Sequence, residues 1–101
     1  MKVLLSLRAE QDLIDIGDRI AVRSPASAAR FVDRLREQCR RVAELPHAWP
    51  NRPDWGPDVR STAMGRYIIV HRVRGDALQI LRIVHGARDL DRLFEDEPPG
   101  K

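Results

Sequence analysis

The sequence predicts an α+β domain: an N-terminal strand, an α-helical hairpin, a three-stranded antiparallel meander and a short C-terminal helix. The strands form one four-stranded sheet with the helices on one face. Three observations predict it. Two consecutive stretches carry apolar residues at helical spacing, a proline-rich break follows, and three β-rich runs come after it, separated by glycine-containing turns.

Lys2–Leu7, KVLLSL, reads as a short strand. Over 8–22, Ala9, Leu13, Ile16 and Ile20 recur at spacings of 4, 3 and 4, which is one face of a helix. Asp12, Asp15 and Asp18 fall away from that stripe. Ser24-Pro25 then starts a second helix. The serine oxygen caps free N–H groups, and proline suits the first helical position because its missing N–H has no helical partner there. The second helix runs over 25–45 with Ala28, Val32, Leu35, Cys39 and Val42 as its apolar stripe. Two such helices joined by a short link form a hairpin, and both stripes need something to cover.

Residues 46–58, PHAWPNRPDWGPD, hold four prolines, which neither helix nor strand tolerates. Trp49 and Trp55 are expected to pin this loop to the body. Strands follow at 59–63, 66–74 and 77–85, divided by Met64-Gly65 and Gly75-Asp76. A C-terminal helix is expected over 87–96 with Leu90, Leu93 and Phe94 on its apolar side. Residues 1–96 are read as one domain and 97–101 as a frayed tail.

Register converts these strands into faces. With Gly75-Asp76 as a two-residue loop, Arg74 pairs with Ala77, His71 with Ile80, Val70 with Leu81 and Ile68 with Ile83. The apolar pairs are assigned to the helices. Tyr67, His71 and Arg82 then share the opposite face, and a tight Met64-Gly65 turn adds Arg60 by pairing it with Ile69. His85 and Arg88 sit where the last strand ends. Arg60, Tyr67, His71, Arg82, His85 and Arg88 therefore form the candidate partner-binding surface.

Charge and composition constrain the chemistry. Of 18 basic residues only Lys2 and Lys101 are lysine; the net charge is +3. Arginine forks match carboxylates and phosphates, so an acidic partner is favoured. Cys39 is alone, which excludes an internal disulfide and leaves the cytoplasm as the expected compartment. The first apolar run is too short to span a membrane. His47, His71, His85 and Cys39 lack the paired spacing of a metal site, and no phosphate-binding glycine loop is present, so no cofactor is expected. Metal-free RNA cleavage would draw on Arg60, His71, Arg82 and His85, but this face carries no glutamate and no second tyrosine or lysine to complete an acid–base set.

Several stretches together resemble the RelE/ParE superfamily of toxins from bacterial type II toxin–antitoxin systems, and the ParE branch most closely. They are Ala9-x-x-Asp12-Leu13-x-x-Ile16, Ser24-Pro25 with Ala28-Ala29-x-Phe31, and Leu45-Pro46. They continue with Val59-Arg60-Ser61, Gly65-Arg66-Tyr67-Ile68-Ile69 and Ile80-Leu81-Arg82-Ile83-Val84-His85-Gly86-Ala87-Arg88-Asp89. The resemblance implies a toxin that poisons DNA gyrase. It also implies neutralisation by a ParD-like antitoxin whose acidic, amphipathic C-terminal segment wraps it in a hetero-oligomeric complex. RelE-like relatives instead cut mRNA on the ribosome, and a degenerate member would retain only antitoxin binding. Arg60 and Arg82 match the arginine positions of the nucleases, while the remaining groups are missing; the ParE reading, a binding inhibitor with no catalytic residue, is preferred. On this reading Arg82→Ala is expected to reduce toxicity more than folding.

Overall fold

The computed structural model describes residues 1–90 and Leu93. β1 spans Lys2–Leu5, α1 Leu7–Ala21, α2 Pro25–Glu44, β2 Arg60–Met64, β3 Tyr67–Arg74, β4 Ala77–His85, and α3 is one turn, Gly86–Asp89. A 3-10 turn, Pro53–Trp55, interrupts the proline-rich loop. The expected element types and order are present. Positions 94–96 of the expected C-terminal helix, including Phe94, and the tail at 97–101 lie outside the described residues.

Local chemistry sets the helix boundaries. Ser6 ends β1 and caps α1, its Oγ accepting the Ala9 N–H at 3.0 Å. Ser24 caps α2 in the same way through the Ser27 N–H, with Pro25 in the first position. The two stripes meet each other and the sheet. Ala9, Leu13, Ile16, Leu35, Cys39 and Val42 pack with Ile69, Leu78, Ile80 and Ile83 in the main core. Burial pushes the Cys39 thiol up to about 11, against the opposing pull of Arg36 and Arg40. Cys39 is therefore expected to resist thiol reagents at pH 8 while the chain is folded and to react at once in denaturant. Equal rates in both conditions would mean that the site opens without unfolding.

The sheet order is β1-β4-β3-β2. β1 runs parallel to β4, Lys2 facing Ala77 through Leu5 facing Ile80, and the other pairs are antiparallel. Two features change the expected faces. First, the turn before β3 is Gly65-Arg66, so Met64 pairs with Tyr67 and Arg60 with His71, not with Ile69. Gly65 takes φ +58°, a left-handed conformation that suits glycine. Second, the β3–β4 ladder runs as expected from Arg74/Ala77 to His71/Ile80 and then slips by one residue. Beyond the slip Val70 faces Arg82, Ile69 faces Ile83, Ile68 faces Val84 and Tyr67 faces His85. Leu81 is the extra residue of this bulge.

The bulge lies where β1 stops. Past Leu5, the edge of β4 is bound by the start of α1: Ser6 N–H donates to the Ile80 carbonyl at 2.9 Å and Ser6 Oγ to the Leu81 carbonyl at 2.8 Å. The faces are also the reverse of those expected. Tyr67, Ile69 and Ile80 pack in the helix-side cluster, and His71 lies on the helix side with them. Ile68, Val70 and Leu81, expected against the helices, instead join Val59 in a second cluster with Val84, Leu90, Leu93 and Trp55. The reverse face is thus covered over part of its area. Trp49 packs against the first cluster and Trp55 against the second, so each tryptophan anchors the loop to a different side of the sheet.

Candidate functional site

The Arg60, Tyr67, His71, Arg82 face does not exist as a surface. His71 is 0% exposed and Arg82 8% exposed. Arg60 and His71 sit side by side near the start of β2, while Tyr67 lies four residues further along β3, about 13 Å away at strand rise. His71 accepts or shares a hydrogen bond with Thr62 Oγ1 at 2.9 Å. Burial, and then the charge of Arg60, lower its pKa to about 4, so it is a neutral ring near pH 7. Arg60 donates to the Trp49 carbonyl at 2.8 Å. Both residues serve the architecture at that end of the sheet.

At the other end the structure builds a cleft of about 360 Å³. β3 contributes Tyr67; β4 contributes Arg82, Ile83 and His85; α3 contributes Arg88 and Asp89. The wall is α1, through Arg8, Asp12, Asp15, Ile16 and Arg19. Four of the six sequence-predicted residues therefore come together, and five residues of α1, four of them charged, join them that the strand pattern did not single out. A signal for them exists. Arg8, Asp12, Asp15 and Arg19 repeat at 4, 3 and 4, the same spacing as the apolar stripe one position later.

Arg82 holds the floor of this cleft. Its Nε and Nη2 donate to the two carboxylate oxygens of Asp12 at 2.9 and 3.0 Å. Its Nη1 donates to the Leu93 carbonyl. Asp12 Oδ2 also accepts the Ile83 N–H at 2.8 Å. The pair is a bidentate fork in which each side chain is only 10–11% exposed. It clamps α1 to the β4 edge that β1 leaves bare.

The rim is held by His85 and Asp89. His85 Nδ1 accepts the Arg88 N–H at 3.2 Å, capping α3, which places the proton of the neutral ring on Nε2. Asp89 accepts the His85 N–H and Arg88 Nε, both at 3.4 Å. The Tyr67 ring stands edge-on to His85 at 5.4 Å and tilted against Phe31 of α2 at 5.5 Å. Gly86 donates to the Arg66 carbonyl at 2.9 Å, and a Cβ there would meet Ile68 Cγ1 at 3.3 Å. Two of the three aspartates are thus committed to Arg82, Arg88 and backbone N–H groups, and Asp15 accepts from Gln11 at 2.9 Å. Arg19 has no ionic partner among the described residues. The cleft suits an acidic or amphipathic partner: cations at the rim, with Ile16 and Ile83 below.

Among the described residues no cluster of three His, Cys, Asp or Glu is placed to hold a metal ion, and no helix is long and apolar enough to cross a membrane. Residues 3–90 match the family described as ParE toxin of type II toxin-antitoxin system, parDE. Among solved structures the chain is similar to one titled "Chromosomal ParDE TA system from P. aeruginosa", with a TM-score of 0.74 and 28% sequence identity. That match covers 84% of this chain and 95% of the other. No curated protein matches.

Proposed function

The chain belongs to the ParE toxin family of type II toxin–antitoxin systems, and from that premise we propose that it inhibits DNA gyrase in the cytoplasm. A ParD-like antitoxin holds it silent through an acidic, amphipathic C-terminal segment. The observation that carries this reading is the cleft. It offers Arg19, Arg88, His85 and Tyr67 around a floor of Ile16, Ile83 and the Arg82–Asp12 pair, a surface for binding a partner. The four groups an RNA-cleaving site would need are divided: His71 is sealed and neutral, Arg60 is engaged with Trp49, and of the two at the cleft, Arg82 and His85, the first is forked to Asp12. A binding inhibitor requires positioned charge and contact area, not a general base.

The test is expression without antitoxin, with supercoiling by purified gyrase and message integrity followed in parallel. Gyrase inhibition with intact messages is expected. Early cleavage of messages at unaffected supercoiling would remove the gyrase reading. Arg19→Glu with Arg88→Glu should weaken inhibition by about tenfold or more at unchanged melting temperature, since rim charges steer and hold a partner without supporting the fold. Full inhibition by that variant would mean the target docks elsewhere.

A further inference from the structure

The cleft holds donors that neither the fold nor the ion pairs use. Tyr67 packs its ring against Phe31 and His85, and its hydroxyl has no partner among the described residues. His85 gives Nδ1 to the Arg88 N–H, so Nε2 carries the proton and meets no described acceptor. Arg88 is tied only through Nε, to Asp89 at 3.4 Å, in a pair whose side chains are 46% and 43% exposed. Its two Nη groups remain available to donate. Arg19 stands exposed on the opposite wall, α1.

The acceptors of the cleft are already taken. Asp12 holds Arg82 and the Ile83 N–H, Asp89 holds Arg88 and the His85 N–H, and Asp15 holds Gln11. The open donors therefore need an incoming group with oxygens on several sides. A carboxylate is planar and takes a fork, as Asp12 does on Arg82. The open donors are set otherwise: the Tyr67 and His85 rings cross at 82°, and the guanidinium groups belong to α1 on one side and α3 on the other. A phosphodiester, with oxygens diverging from one phosphorus, meets donors that arrive from such different directions. The three aspartates weaken the hold on a free anion, so a phosphate is kept there when further contacts of a larger partner add to it. His85 is placed to hold such a group and not to cleave it. With Nδ1 bonded and Nε2 protonated, neither ring nitrogen is open to accept a proton.

We propose that the cleft binds a backbone phosphate of the DNA that gyrase holds, through Tyr67 Oη, His85 Nε2, Arg19 and Arg88, so that the toxin engages enzyme and DNA together. This rests on the reading that gyrase is the target. The experiment measures binding of the intact toxin to purified gyrase with and without duplex DNA, beside a titration of the toxin alone with inorganic phosphate. Affinity should rise by about tenfold or more when gyrase carries DNA. Tyr67→Phe removes one hydroxyl and keeps the ring. His85→Asn keeps an acceptor for the Arg88 N–H and removes the Nε2 donor. Each should cut the DNA-dependent gain by about fivefold or more and leave affinity for DNA-free gyrase unchanged. Arg41→Glu, an exposed charge near the far end of α2, should keep the whole gain. Equal affinity with and without DNA would overturn the phosphate proposal and leave the gyrase reading standing. A gain that survives both substitutions would mean that DNA acts through the shape of gyrase, and would overturn the proposal also. Tight binding of inorganic phosphate that DNA-loaded gyrase does not displace would assign the cleft to a free phosphate, with the same result. No binding to gyrase in either state would remove both readings.

Discussion

Arg82→Ala is expected to lower the unfolding free energy by about 3–5 kcal/mol, the usual cost of removing one partner from a buried, hydrogen-bonded ion pair. The fork on Asp12, both of whose side chains are nearly enclosed, is the reason. Without the guanidinium, Asp12 loses both bonds of the fork and keeps the Ile83 N–H, and the Leu93 carbonyl loses its tie to Arg82. This replaces the expectation that the substitution spares folding. Urea unfolding measures it directly, and the pair can be apportioned by a cycle with Asp12→Asn. The cycle should show strong coupling between the two sites. A variant within about 0.5 kcal/mol of the parent would mean the clamp adds little, and Arg82 would return to being a partner-binding residue.

The second large effect is acid destabilisation through His71. Its folded pKa, about 4, lies below the ordinary value of 6.5 because burial and the Arg60 charge disfavour the imidazolium. The unfolded chain takes up a proton near 6.5 and the folded chain does not until about 4. Stability from this residue is therefore complete above pH 6.5 and is lost as pH falls towards 4, by about 3 kcal/mol in all. His71→Gln keeps a side chain able to reach Thr62 and removes the titration. The stability gap between parent and variant should close by roughly that 3 kcal/mol between pH 7 and pH 4 in urea titrations. Parallel pH profiles would show that His71 is not sealed in solution.

Much of the architecture is legible because it is written locally. The 4-3-4 stripes of Ala9–Ile20 and Ala28–Val42, the Ser24-Pro25 start and the Gly75-Asp76 turn each act within a few residues. Ser24 caps, and Arg74 pairs with Ala77, as their neighbours dictate. What escapes local reading is which face of β3 and β4 meets the helices. Leu81 is an ordinary strand residue, and nothing beside it announces a bulge. Ser6 and Asp12, which bind its carbonyl and the next strand residues, lie 75 and 70 residues away from their partners in sequence. With the slip Ile83 falls opposite Ile69 and Arg82 opposite Val70, so the face that reads as wholly apolar in the unslipped register, that of Ile68 and Val70, is the one turned from the helices. For the same reason Arg82 reads as an open-face residue, though its carboxylate partner stands in the polar row beside α1's apolar stripe. Tyr67, His85 and Arg88 were foreseeable as neighbours because all three gather where β3 and β4 meet α3.

The parallel β1–β4 pairing also has a consequence in time. β1 is made first, yet its partner strand begins at Ala77. At synthesis rates of roughly 5–20 residues per second, the first strand waits several seconds on the ribosome for its place in the sheet. The bonds that fix α1 to β4, Ser6 to Leu81 and Asp12 to Arg82, wait equally long. The helical hairpin and the meander can each form from nearby residues; the N-terminus can only dock once both exist. The cleft, whose wall is α1 and whose floor is β4, is therefore among the last features completed. A nascent chain has no finished docking surface until its final strand has been made.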